Sequence, residues 1–474
     1  MEVKSAPRRL LRDTRGATLV LVALMITALI GFTGLGVETG LWYAIKRQNQ
    51  SAADVAALSG AFELLAGQSS GLTATQVYPN ICGFAQRDAT RNGFTFASFT
   101  CPTSTPACTS PSSGQMCANN PPQTPSTANF NNANAVEVIL AQQQNALLAS
   151  LYLANVTIDT RAVAVISVLD QACMLALNPN ASNAILIKGN PTLNMPNCSV
   201  VADSTSSSAI HLQGSASIIA DTLVTAGGVD TTGNPSFTLN KPAQTHAQNV
   251  PDPYAPPNCT TLCLTHAFLT TGMPGCTTAP SPVGGVTTYS AGSRICGGLN
   301  IKNRTVNLSP GTYWVTDGDL SLQANGVLEC TACNPTTGAG ITIIFTIVTG
   351  TTVGTFTGGS NSAVGNPPTA PNFNAPNSGT FKGLLFVQDS NGLPAGTTWN
   401  AGTFQGGPNA VLNGLVYAPQ AGLTFNGNPA AGGAGCLILV VDTLTLSGDS
   451  QLNSTGCPAA GVSPPTVNTV ALAE

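Results

Sequence analysis

Cys259, Cys263 and His266, with Cys276 close behind, form a stretch of this chain whose residue types and spacing could build a metal centre. A C-x3-C-x2-H run followed by a fourth thiol would supply the tetrahedral donor set that zinc takes. In an oxidising compartment the same thiols pair as disulfides instead, with Cys296 as a further partner. Cys330-Thr331-Ala332-Cys333 has the spacing of a redox dithiol. Such dithiols sit at a helix N-terminus that lowers the thiol pKa. This one lies among Gly, Thr and Pro without helical periodicity, so a structural loop is the stronger reading. Asp317, Asp319 and Glu329, with Arg294 and Arg304, are the local cluster that a polysaccharide-cleaving enzyme could use. Paired carboxylates in that role face each other across about 5–10 Å. Nothing in the spacing fixes such a distance, and aspartates beside Gly318 equally suit a turn.

Asp203, Thr205 and Ser207 fit D-x-[ST]-x-S, a pattern that resembles the metal-ion motif of von Willebrand A domains. In that fold the motif ends a buried strand and leads into a helix. Here it leads into Ala209–Ile219, which repeats an earlier strand, so a Ser-rich corner is preferred. No catalytic residue and no cofactor is expected from the sequence.

The elements that hold these residues show themselves by repetition. Ala184–Leu193 aligns with Ala209–Ile218 at a period of 25 residues. Leu299-Asn300-Ile301 aligns with Leu320-Ser321-Leu322, and Leu423–Gly427 with Leu444–Gly448, each at a period of 21. Strands of a few residues, ended by Gly or Asn and repeated at such periods, suggest coils of a parallel β-solenoid over residues 172–460. Stacking coils about 4.8 Å apart puts alternate apolar side chains inside and polar ones outside. Leu186 should then lie over His211, and Ile187 over Leu212, with Ile187 and Leu212 inside and His211 outside. A β-sandwich of antiparallel strands is the alternative, but it does not require coil-length self-similarity. Cys101–Ser126 reads as a stapled or disordered insertion, Lys241–Gly284 as a long linker between two stretches of solenoid, and Gly358–Pro376 as a third loop.

Only 8% of residues are charged, while Gly (49) and Pro (33) are abundant, as in exported β-rich proteins. From residue 49 onward there are nine Lys/Arg against seventeen Asp/Glu, which argues against nucleic acid as a partner. All fourteen cysteines lie at or after Cys82, so disulfides are their expected fate. Sequence does not fix their pairing. Cys173 with Cys198, and Cys436 with Cys457, would each close a loop of the length for which chain entropy gives about 3 kcal/mol.

Ala17 to Val37 carries no charge, enough helix to cross a bilayer. Lys4, Arg8, Arg9, Arg12 and Arg15 precede it and only Lys46 and Arg47 follow closely, favouring a cytoplasmic N-terminus and an exported body. A cleaved secretory signal is the competing reading. The apolar run exceeds the usual h-region of about 7–15 residues, and no A-x-A-like site follows it. Gly16 after Arg15 opens the run as in type IV prepilins, but the fifth residue onward is Leu21 where those precursors carry Glu. Beyond the span, Leu41, Ile45, Gln48, Ala52, Val55, Ser59 and Phe62 recur at helical spacing. Their small-residue stripe packs either on its own domain or on neighbouring subunits, and the GxxxG of Gly36 and Gly40 supports the second.

The Arg15-Gly16 start, the apolar span, Val37-Glu38-Thr39-Gly40-Leu41-Trp42-Tyr43 and Gln50–Ala61, with Ala52, Ala53, Asp54, Ala56 and Ala57, resemble the N-terminal module of TadE/TadG-like proteins. That resemblance implies a part in the Flp (tight-adherence, Tad) pilus-assembly system of bacteria. It implies as partners the membrane, other pilus-assembly proteins or pilin-like subunits, and a second copy through the N-terminal helix. A looser likeness covers a helix over Ile81–Phe94 and Asn134–Val168, read as strand, helix over Gln142–Leu153, strand. The expected fold is mainly β with an N-terminal transmembrane helix. Residues 1–16 are a cytoplasmic basic segment, 17–37 the span, 38–171 a Tad-like helix and small α+β, pilin-like head, 172–460 the solenoid-like domain and 461–474 a tail. The expected job is structural, in assembling, anchoring or capping a surface fibre. A surface adhesin for a carbohydrate or protein ligand, and a polysaccharide-active β-helix enzyme, are the alternatives.

Overall fold

The structure, a computed structural model, describes residues 15–69, 72–103, 108–125, 128–147, 149–151, 153–256, 259, 262–334, 336–359, 363–364, 373–406, 412–427, 430–431, 436–457 and 464–473. Lys4, Arg8, Arg9 and Arg12, and most of Gly358–Pro376, lie outside them. The chain divides into two units, Met1–Ser167 with Val470–Glu474, and Val168–Thr469.

In the first unit, helix α1 (Arg15–Ser69) is followed by helix α2 (Ala74–Arg91) and by strands β1 (Gln115–Asn119), β2 (Ala135–Asn145) and β3 (Asn155–Ala176). The strands pair antiparallel in the order β1-β2-β3, and β3 runs on past residue 167 into the second unit. Both helices pack on this sheet through Ala52, Ala56, Ile81, Ala85, Val136 and Val138, all fully buried. Small residues at that contact let the backbones approach closely. A Cβ on Gly60 would stand 3.0 Å from Val136 and 3.2 Å from Ile81. The α+β expectation holds, with two corrections. Gln142–Leu153 is not a helix: β2 continues to Asn145, with Gln142, Gln143 and Gln144 opposite Ile158, Thr157 and Val156. Only Ala149–Leu151 make a 3-10 turn. Ladder pairing to a long neighbouring strand overrides the helix propensity of Gln, Ala and Leu. Cys101–Ser126 is not merely a stapled loop either, because it contributes the edge strand β1, whose residues 116–119 are buried.

The second unit consists of short parallel strands. One sheet runs in spatial order Arg294–Cys296, Gly311–Thr316, Ile341–Thr346, Leu384–Gln388, Leu412–Ala418, Leu437–Val441, the end of β3, Ser199–Ala202 and Leu223–Thr225. A second runs Leu299–Lys302, Leu320–Gln323, Phe356–Gly358, Gly402–Gly406, Leu423–Gly427, Leu444–Gly448, Ile185–Gly189, Ile210–Gly214 and Val229–Gly233. Shorter parallel sheets include Thr192–Met195, Ser217–Ala220 and Ser236–Leu239. Successive strands of the chain mostly fall in different sheets, and within residues 185–239 and 286–453 each pass of the backbone lies on the one before it. These ladders are parallel, not the antiparallel ones of the sandwich alternative. The repeats are in the register the sequence predicts: Leu186 opposes His211, Ile187 opposes Leu212, Asn300 opposes Ser321 and Thr424 opposes Thr445. Ile187 and Leu212 are fully buried and His211 is not.

The passes stack out of chain order. Residues 286–453 build one run, and its last strand in the second sheet, Leu444–Gly448, pairs with Ile185–Gly189, the first strand of the other run in that sheet. Cα partners at this seam include Leu446 and Ile187. Both runs advance in the same direction, so the chain enters the stack in its middle. A column of glycines marks one corner, from Gly427 through Gly448 and Gly189 to Gly214 and Gly233, all with positive φ. At Gly214 (φ +88°) a Cβ would lie 2.5 Å from the Gly189 carbonyl oxygen, so the corner needs glycine on both counts. Inside, Phe356, Phe404 and Phe425 stack with ring centroids 4.6 and 4.8 Å apart.

Candidate functional site

The helical module. The first half of α1 exposes Val20, Leu24, Leu29, Phe32 and Val37, and the helix is long and apolar enough to cross a membrane. The second half turns inward: Ala52, Ala53, Ala56, Ala57 and Ala61 are fully buried against the unit's own elements. For these residues the first of the two packing alternatives is the one observed. Gly36 and Gly40 lie on the exposed half, with open space where a Cβ would stand, and Gly16 lies in the first turn. Polar motif residues hold the module together. Glu38 is buried, and its carboxylate accepts the backbone N–H groups of Leu147 (2.5 Å) and Ala149 (2.8 Å). Gln50 donates to Asp54 and to the Arg161 carbonyl, both at 2.8 Å. Trp42 is half-buried and Tyr43 exposed.

A charged centre that sequence reading missed sits on the sheet of the same unit. Glu137 is fully buried on β2, accepting from Arg161 Nε (2.6 Å), Asn119 Nδ2 (2.8 Å) and the Gln123 backbone N–H (2.9 Å). Burial pushes its pKa up, but the hydrogen bonds from Thr124, Arg161, Gln123 and Asn119 outweigh this and hold it below the usual range. Its alternation on β2 places Glu137 between Val136 and Val138, a position that gives no sign of an ion pair 24 residues away.

The metal candidates do not converge. Cys259 is bonded to Cys263, Cys276 to Cys296 and Cys330 to Cys333, and His266 Nδ1 shares a hydrogen bond with Asp389 Oδ2 at 2.6 Å. Among the described residues no group of three or more His, Cys, Asp or Glu is arranged to hold a metal ion. Asp203 is buried and accepts from the Val250 N–H at 2.7 Å, whereas Thr205 and Ser207 are exposed. Asp317 accepts from the N–H groups of Val348 and Gly350 (2.9 Å each), and Asp319 from Thr355 N–H (2.9 Å) and Asn400 (3.0 Å). Both act as turn caps. Burial raises the Asp317 pKa less than its backbone donors lower it, whereas burial leaves Glu329 raised. Arg294 and Arg304 bond to Thr316 and to the Asn300 carbonyl.

What sequence reading assigned as linker, residues 241–284, is a strap laid along the first sheet of the second unit. Tyr417 donates to Asp252 (2.8 Å) and packs edge-on against Tyr254 (centroids 5.6 Å). Further along, Trp314 Nε1 donates to the Leu269 carbonyl (2.8 Å), and Phe268 meets Phe381 (5.5 Å). Two carboxylates, Asp203 and Asp389, lie buried under it, and Asp252 is half-buried within it. Burial pushes Asp203 up to about 7 against the Val250 hydrogen bond, with Asp252 adding to the rise. Burial also raises Asp252 and Asp389, the latter against donors from His266 and Thr346. Of the seven disulfides, Cys173–Cys198 and Cys436–Cys457 are two of those in this unit.

Residues 16–63 match the Tad family, described as putative Flp pilus-assembly TadE/G-like. The α1 module is a TadE/G-like one, as the residues of the Glu38 and Ala-rich motifs led us to expect. No curated protein and no solved structure matches the chain.

Proposed function

We propose, with the TadE/G-like module as premise, that this protein is a membrane-anchored accessory component of Flp pilus assembly. Its N-terminus lies in the cytoplasm and its body is exported. The observation that carries this reading is the division of α1 within residues 16–63, apolar and exposed in its first half, packed on its own domain in its second. An anchor must be uniform towards lipid and specific towards protein, and this helix does both in sequence. The role is structural, with no chemistry performed, and the stacked passes of residues 172–457 form a parallel β-solenoid displayed outside. The Gly36/Gly40 face is the contact for pilin-like subunits, assembly partners or a second copy.

In cells, alkaline extraction should leave the full-length chain in the membrane fraction, and protease added outside should remove the body. Release of a soluble form beginning after residue 30 would refute the anchor. Cells lacking the chain should lose surface Flp fibres and regain them with the intact gene, but not with Gly36→Leu/Gly40→Leu. A surface adhesin is the second reading. It draws on the outward column of Asn300, Ser321, Thr357, Thr403, Thr424 and Thr445, each opposite the next in the ladder. Glycan binding by the protein that is lost on replacing these residues, with fibres unaffected, would favour it.

A further inference from the structure

The hairpin joining β2 to β3 is unusual for an exposed loop. From Gln142 to Ile158 it carries no charge, and its tip reads Ala146-Leu147-Leu148-Ala149-Ser150-Leu151-Tyr152-Leu153-Ala154. Leu147 is 73% exposed and Leu153 44%. Exposed leucines on a polar surface would raise a solubility cost with no return.

The place of the tip along α1 explains it. Both oxygens of Glu38 are engaged by the Leu147 and Ala149 N–H groups, which ties the tip to the first residue after the uncharged segment Ala17–Val37. Val37, one residue earlier, is 73% exposed. Trp42 and Tyr43 follow about one turn later, and Lys46 and Arg47 about 12 Å beyond Glu38 at 1.5 Å per residue. This is the order of side chains found from acyl chains through interface to phosphates. A carboxylate at that depth is costly unless its oxygens are satisfied, and here both are. Part of the tip's own backbone is also paired. Ala146 N–H donates to the Ala154 carbonyl (3.2 Å), Leu153 N–H to the Ala149 carbonyl (2.9 Å) and Ser150 Oγ to the Leu147 carbonyl (2.7 Å). Each such bond lowers the cost of bringing backbone out of water and against a bilayer surface.

We propose that the tip of this hairpin makes a second membrane contact, in which Leu147 and Leu153 enter the exported-side leaflet of the bilayer that α1 crosses. The proposal rests on the anchoring reading above. Two contacts, one spanning and one interfacial, fix the tilt and rotation of the head on the membrane, where a single helix would leave it free to swivel.

The test places a photoreactive benzoylphenylalanine at Leu147, Leu153, Val37 or Leu72 of the full chain. Each variant is reconstituted in phosphatidylethanolamine/phosphatidylglycerol vesicles containing tritiated phospholipid. Leu72 is an exposed control beyond the far end of α1. Irradiation should label the Leu147 and Leu153 variants to within about three-fold of Val37, with Leu72 at background. Labelling at Val37 with background at Leu147 and Leu153 overturns the proposal and leaves the anchor standing. Protein adducts to a second copy in place of lipid at Leu147 overturn it as well. Background at all four sites removes the anchoring reading, and this proposal with it.

Discussion

Two sheets of the second unit are stacked from the same passes of backbone, yet their strands look different. In the sheet containing Ile210–Gly214, Leu423–Gly427 and Leu444–Gly448, buried and partly exposed residues alternate. In three strands of the other sheet, Ile341–Thr346, Leu384–Gln388 and Leu437–Val441, every residue is buried. Strand geometry is common to both, so the difference comes from what lies outside. The strap within residues 241–284 covers the sheet of Ile341–Thr346, whereas the sheet of Leu423–Gly427 faces solvent. Leu-Ile-Leu-Val-Val and Leu-Thr-Leu-Ser-Gly are therefore the same element in two surroundings.

The most disruptive way to probe that contrast is to place a charge at consecutive residues of one strand. In the covered sheet, Leu439→Asp and Val440→Asp should each cost roughly 3–5 kcal/mol, because either face is apolar and an unpaired carboxylate there loses its hydration. On the open sheet only one parity should matter. Phe425→Asp should be as damaging, while Thr424→Asp should cost less than about 1 kcal/mol. Thermal unfolding of the four variants reads this out, and an alternating cost in the covered sheet would mean the strap does not seal it.

A gentler probe uses acidity. Asp203, beneath the strap, has its pKa raised to about 7 by burial, against about 3.9 in an unfolded chain. Between those values the native state keeps a proton that the unfolded state has lost. Its contribution is thus fully present below about pH 4 and is lost as pH rises through about 7, at up to roughly 1.4 kcal/mol per pH unit. Asp203→Asn keeps an oxygen for the Val250 N–H and removes the titration. Its melting temperature should vary less between pH 5 and 8 than that of the parent, and parallel curves would show that Asp203 is not the group responsible. Smaller still is Tyr417→Phe, which removes the hydroxyl shared with Asp252 and should cost about 1 kcal/mol. Limited proteolysis within residues 241–284 should accelerate in that variant, and an unchanged rate would mean that this hydroxyl does not hold the strap.

The contrast also explains what sequence could reveal. Alternation in Ile185–Gly189 and Ile210–Gly214 exposes the repeat and its register, because one face has to differ from the other. The fully apolar strands carry no such mark, and nothing local announces that a Pro-rich segment elsewhere will cover them. The α1 module was legible because its motif is contiguous in the chain. Glu38 stood out as part of that motif, but its bonds to Leu147 and Ala149 span 109 and 111 residues and have no local signature. Helix propensity misled at Gln142–Leu153 for the same reason, since the strand that holds Gln142 to Gln144 extended lies across a turn.

The seam between Leu444–Gly448 and Ile185–Gly189 bears on how this chain matures. Its halves are made at opposite ends of the body, so the contact has very long sequence separation and closes late. Until the C-terminal passes arrive, Ile185–Gly189 presents an unsatisfied row of backbone donors and acceptors on one side, an invitation to annealing with a neighbouring chain. A product truncated before residue 444 would keep that edge open, whereas in the full chain Ile185–Gly189 is paired on both sides, by Leu444–Gly448 and by Ile210–Gly214.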